Sequence, residues 1–447
     1  MKNFFQRKMI QKKKNNFIKF SKFAVLLVIA ILPLLSAACG SVADKPSGPV
    51  TIKIWKPFVE SEKMQAIMSE YQAKYTNVTF EYTKKNIENY EADLLNALAS
   101  GNGPDIYSIN NTWVPRYLDK ITPAPDKTFI VKDYKETFVD SMVTDLIKDN
   151  KIYGTAMWVD SLALYYNKDL MGTAGIAVPP KTWTQLAEDV RDITRQDSDG
   201  YFSRSGVAIG TNANVNRGVD IIYLLMLQAG VIPWTADGRA PQFANSVARN
   251  NNSVNVGEEA VEFYTSFADP SSANYTWNED SDYSTDAFAN GRAAYLYGYA
   301  YTREQIDAKS PNLNYDVASV PQNNLEDPTV NYSSYFAEVV SKQSKNTAWA
   351  WDFLKFATSK DSLDKYYKQD KQPSSRRDLI ELQTSDPEIG VFAHANLTGK
   401  TFYKADEAKF DAIIGEMIDN INLRGQTVSQ ALSRAQSQAS TLSLLRN

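Results

Sequence analysis

Residues 50–55, Val-Thr-Ile-Lys-Ile-Trp, alternate apolar and polar side chains with the period of two that lays one face of a strand on a core. From 62 to 75 the period changes, and Met64, Ile67, Met68 and Tyr71 recur at helical spacing. A second strand pattern at 78–82 precedes a helix over 90–100, built on Leu94, Leu95 and Leu98 and stopped by Gly101. Pro104-Asp105 then leads into the apolar run 106–109. Strand, helix, strand, helix, strand predicts an α/β layer with mainly parallel strands. The ligand crevice of such a layer lies beyond the carboxyl ends of its strands, here residues 55–60 and 110–113. A second pattern of this kind begins near Leu164, with helices over 183–193 and 219–229 flanking a strand-like 206–210. Between the patterns, residues 152–167 carry no proline and no glycine after Gly154, and read as a connection crossing between two lobes.

The chain has 447 residues, enough for two or three domains, and its 43% hydrophobic and 22% charged residues exclude disordered and collagen-like readings. The single cysteine, Cys39, excludes an internal disulfide framework, a four-cysteine zinc site and an iron–sulfur cluster. The single histidine, His394, removes most metal and acid–base chemistry, and no metal or cofactor is expected. Residues 1–22 carry eight basic and no acidic side chains, and an uncharged run follows from 23 to 38, the order of a secretory signal. That run is 16 residues long, short of the roughly 20 that span a bilayer, and Pro33 interrupts it. Removing 1–38 takes the formal charge from −4 to −12, which argues against a nucleic-acid partner.

Ser36-Ala37-Ala38-Cys39-Gly40 resembles a bacterial lipobox, with serine where leucine is usual. The resemblance implies that Cys39 is acylated and becomes the N-terminus. Residues 41–49 would then tether a soluble domain to the outer face of the cytoplasmic membrane.

The run KIYGTAMWVDSLALYYNKDLMGTAGIAVPPKTW, residues 151–183, reproduces the Tyr-Gly, Leu-Tyr-Tyr-Asn-Lys-Asp-Leu, Ala-Gly-Ile and Pro-Pro-Lys-Thr-Trp features of bacterial extracellular solute-binding proteins. YEADLLNALASGNGPD at 90–105, FANGRAAY at 288–295, the segment 338–358 and PSSRRD at 373–378 follow in that family's order. The chain therefore resembles the sugar-binding lipoproteins of ABC importers, the group that includes maltose-binding protein. The resemblance implies a two-lobed, type II periplasmic-binding-protein-like α/β fold. Three hinge crossings are expected, near 161–164, 332–336 and 371–373, with lobe 1 over 50–162 plus 334–371 and lobe 2 over 163–333 plus 372–447. It also implies a carbohydrate ligand held between closing lobes, delivery to an ABC permease, a monomeric state and no enzymatic activity.

A sugar presents hydroxyls at its edge and C–H patches on its faces, so its site needs planar polar groups and flat rings. The chain has 8 Trp and 25 Tyr to draw on. Trp55 and Trp113, with Asn111, fall at the expected crevice edge, and Trp234 and Trp277 fall in loops of the second lobe. The resemblance places Asp160, beside Trp158, where an acidic or amide ligand for sugar hydroxyls is common. Arg376, at the last crossing, is the other polar candidate. The family's stacking tryptophan is replaced by Ala300, which leaves Tyr299 or Tyr301 to supply a ring; strand alternation would instead put Tyr295, Tyr297, Tyr299 and Tyr301 on one core-facing side.

Asp197-Ser198-Asp199-Gly200 lacks the later positions of a calcium loop and reads as a surface turn. A receptor of the same fold for a non-sugar solute stays open as an alternative. So does an extracellular carbohydrate-active enzyme using two of the 52 acidic residues.

Overall fold

The computed structural model describes Lys45 and residues 47–235, 238–249 and 252–443. Cys39 and the signal-like segment before it lie outside the described residues. The rest is organised about two hydrophobic cores.

Around the first core, the strands Val50–Pro57, Val78–Lys85 and Ile106–Asn110 pair in parallel, and the returning strand Phe336–Val340 runs antiparallel beside Ile106–Asn110. The helix Ser61–Lys74 buries the stripe read from the sequence, Met64, Ile67, Met68 and Tyr71. Tyr71 meets Phe353 edge-on at 5.2 Å, which fixes Thr347–Ala357 on the same face. Each fully buried side chain of this size contributes roughly 1.5–3 kcal/mol relative to exposure.

The second core lies under a five-stranded sheet in the order Tyr315–Ala318, Ala163–Asn167, Ala293–Gly298, Phe202–Val207, Arg195–Gln196. The helix Trp183–Ile193 packs on it. Its start is fixed by a capping box in which Thr182 Oγ1 accepts the Gln185 N–H and Gln185 Oε1 accepts the Thr182 N–H, both at 3.2 Å.

The lobes are joined where the cores exchange chain. Val159 belongs to the first core and Leu162 to the second; Tyr332 belongs to the second and Tyr335 to the first. These two crossings pair with each other, Ser161 opposite Ser333 and Asp160 opposite Ser334, and Gly399–Lys400 adds a third strand beside Asn331 and Tyr332. A Cβ at Gly399 would collide with Ser333 Oγ, so a larger residue there would displace the Ser333 hydroxyl from Ser161. The fully buried Asn396 binds the crossings together: its Nδ2 donates to the carbonyls of Val159 (2.6 Å) and Ser374 (3.1 Å), and its Oδ1 accepts from Ser161 Oγ (2.7 Å).

The last exchange differs from the expectation. After Pro373 the chain stays with the first core, since the helix Arg377–Gln383 turns Leu379 and Ile380 into it; the second core is first rejoined at Phe392, while the next residue, Ala393, still belongs to the first. Among the described residues no helix is long and apolar enough to cross a membrane.

Candidate functional site: two walls beside the hinge

Asp160 sits in the hinge strand with 9% of its surface exposed. Its two carboxylate oxygens accept one backbone N–H each, from Ser161 at 3.0 Å and Ala300 at 2.9 Å. Burial outweighs these bonds and pushes the carboxyl up to about 7. Asp160 thus ties the end of the strand Ala293–Gly298 to the hinge, with a second lone pair left on each oxygen.

The strand ends at Gly298, so the expected alternation of four tyrosines stops there. Tyr295 and Tyr297 are core. Tyr299 is buried as well: its hydroxyl donates to Asp220 Oδ2 at 2.9 Å, which withdraws it from direct stacking on a ligand. Tyr301 lies nearly parallel over Tyr299, ring centroids 5.9 Å apart, and is 46% exposed. Arg217 completes this wall. Its Nε donates to the fully buried Asp220 at 2.6 Å and its guanidinium carbon lies 5.5 Å from the Tyr299 ring. Arg217 has a left-handed backbone (φ 57°) as the residue before the helix Gly218–Gln228, and no sequence signal marks it.

The first lobe supplies the opposite kind of surface. Phe336, two residues beyond the hinge partner of Asp160, meets Phe58 edge-on at 5.3 Å and Trp113 at 6.1 Å. Trp113 stacks on Tyr117 at 6.0 Å, and its indole N–H donates to Glu407 Oε2 of the second lobe at 2.8 Å. Trp158 is half-buried, parallel to Tyr366 at 6.2 Å, with Lys56 Nζ 5.2 Å from its ring centroid. Lys56 is itself buried and ion-paired to the buried Glu338. Trp55 is half-buried under Lys85, whose Nζ stands 3.7 Å from the ring.

Three of the expected contacts are buried or already committed to other groups. Trp277 is 1% exposed in the second core, its N–H on Asn214 Oδ1 at 3.2 Å, because a loop position does not keep so large a ring in water. Arg376 is held by both oxygens of Asp378, at 3.0 Å each, and by the Thr358 carbonyl at 3.1 Å, so it serves the lobe-1 fold. Trp234 is buried with its N–H on the Tyr403 carbonyl at 2.9 Å.

Asn111 is buried beneath Trp113 and donates to Asp145 Oδ2 at 2.9 Å. Asp145 also accepts from Tyr335 Oη (3.0 Å) and, across the lobes, from Thr401 Oγ1 (2.7 Å); burial pushes it up to about 6. Asn111 and Trp234 line an inter-lobe cavity of about 480 Å³ together with Asp145, Thr401 and Tyr403. None of Asp160, Tyr301, Arg217 and Phe58 lines that cavity, and the exposed rings of the molecule's hinge region stand outside it.

Asp197 accepts the backbone N–H of Asp199 (3.0 Å) and Tyr201 (2.9 Å), an ordinary capped turn. Among the described residues no group of acidic, histidine or cysteine side chains could hold a metal ion.

Two α/β lobes exchanging chain through paired hinge strands, with rings on one wall and a buried-carboxylate network on the other, define a two-lobed solute receptor. The family model for bacterial extracellular solute-binding proteins matches residues 56–363, and the chain belongs to that family. It is 24% identical over 364 residues to the maltodextrin-binding protein MdxE of Bacillus subtilis, covering 78% of this chain and 79% of that one. It is likewise 24% identical over 366 residues to the diacetylchitobiose binding protein DasA of Streptomyces coelicolor, covering 77% and 79%. Among solved structures, the sugar-binding protein MalE of Xanthomonas citri superposes with a TM-score of 0.73 at 17% identity, covering 89% of this chain and 98% of that one.

Proposed function

We propose that this protein is the carbohydrate receptor of an ABC importer. It captures an oligosaccharide or glycoside between the lobes and hands it to a membrane permease. Acylation at Cys39 would hold it, as a monomer, on the extracytoplasmic face of the cytoplasmic membrane. The observation that carries the ligand class is the pairing of exposed rings with hydrogen-bonding groups on either side of a hinge carboxylate. Rings suit C–H faces, and Asp160 and Arg217 suit hydroxyls. Relatives named for maltodextrin and diacetylchitobiose binding support the same class. Tyr301, Trp158 and Trp55 are the proposed ring contacts, with the buried Trp113, Tyr299 and Asn111 acting through their neighbours. The site binds and releases without chemistry.

Titration calorimetry of the chain from Gly40 onward tests this. Saturable heat with a neutral oligosaccharide, and the sugar recovered uncleaved, is the expected result. Heat with spermidine or ferric citrate in place of any sugar contradicts the ligand class, and cleavage of the sugar contradicts the receptor role.

A further inference from the structure

Phe58 is the largest apolar side chain left open at the carboxyl end of the first strand, 57% exposed in a segment where its neighbours Pro57 and Val59 are buried. Its backbone is left-handed, φ 65°, a conformation that a bulky residue avoids because Cβ crowds the following carbonyl. The Val59 N–H donates to the Pro57 carbonyl at 2.8 Å, so the three residues form a strained γ-turn with Phe58 at its apex.

The surroundings impose this turn. Pro57 is held in sheet register opposite Lys85, and the buried Val59 gives its carbonyl to Tyr82 Oη at 2.7 Å. With both flanks fixed, the apex side chain is thrown outward. It lands edge-on against Phe336, which directly follows the crossing that pairs with Asp160. A strained, exposed ring supported by a second ring does nothing for the core. Such strain persists where the side chain's direction matters.

We infer that Phe58, braced by Phe336, is the lobe-1 platform on which the C–H face of a sugar ring stacks. This rests on the carbohydrate reading above.

The test uses titration calorimetry and thermal unfolding on the chain from Gly40 onward, wild type and three variants, with maltotetraose, mannotriose and diacetylchitobiose as probes and spermidine as the non-sugar control. For the probe that wild type binds, Phe58→Gly and Phe58→Ala should each lose about tenfold in affinity, and Phe58→Tyr should stay within about threefold. Phe58→Gly should unfold at a temperature no lower than wild type, since glycine accepts the left-handed backbone without crowding. That combination separates a binding role from a structural one. Sugar affinity unchanged in Phe58→Gly overturns the platform and leaves the carbohydrate reading standing. Wild-type binding of spermidine with no response to any sugar overturns both.

Discussion

The two walls beside the hinge are built on opposite principles. On the first lobe, Phe336 meets the exposed Phe58 on one side and the buried Trp113 on the other, both edge-on, and the buried ion pair of Lys56 with Glu338 belongs to the same lobe. On the second lobe the exposed ring, Tyr301, rests on a network that starts from a fully buried carboxylate, Asp220, and runs outward through Tyr299 and Arg217. Packed rings tolerate exchange for rings of similar size, whereas a buried charge fails when a partner is removed. The first wall should therefore be tunable in affinity at little cost in stability. The second should couple binding to folding.

The strongest challenge to that contrast is Asp220→Ala. It removes the acceptor for Tyr299 and Arg217 and should lower stability by about 3 kcal/mol in urea unfolding, with sugar affinity lost alongside. A loss comparable to that of a first-wall ring substitution would erase the distinction between the walls.

Next in size is the pH dependence set by Asp160. In the folded protein this carboxyl keeps its proton up to about pH 7, while in the unfolded chain it releases it near 4. The folded state therefore holds more protons in that window, and the contribution of Asp160 to stability falls as pH rises through it. Between pH 5 and 7.5 wild type should lose about 2 kcal/mol relative to Asp160→Asn, read from paired urea titrations at each pH. Parallel pH profiles would mean that the hinge carboxyl is ionised throughout.

A smaller effect is expected at the contact between the walls. Trp113→Phe replaces the buried indole by a smaller ring and deletes the N–H that reaches Glu407 across the lobes, and should weaken sugar binding by about 1 kcal/mol with a stability loss of similar size in urea unfolding. Smallest is Arg376→Ala. With its guanidinium committed to Asp378 and Thr358, sugar affinity should move by less than about twofold, and a larger change would return Arg376 to the site.

The pattern of strands and helices was legible because long amphipathic segments report their own burial. The helix read over 183–193 is Trp183–Ile193, and the strand begun at Val50 pairs where expected. The hinge at Asp160 was legible through the block that follows it. The rings were harder. Trp277 and Trp55 look alike in sequence, each a tryptophan beside polar residues, and only packing separates a core ring from a half-open one. Arg376 was misread because its partner is two residues away and pairs with it locally. Phe58 lay inside the predicted crevice segment, but a left-handed phenylalanine carries no glycine or asparagine to announce the turn. Arg217 was hidden for the same reason.

Binding of a saccharide between these two walls is best tested by thermal unfolding of the chain from Gly40 onward across a panel of oligosaccharides, polyamines, amino acids and ferric chelates. A ligand at about 100 times its dissociation constant adds roughly 2.7 kcal/mol, several degrees at this size. That shift is expected with an oligosaccharide, abolished in Asp160→Ala and reduced in Phe58→Gly. A shift with a non-sugar solute alone, or one insensitive to both substitutions, would contradict it.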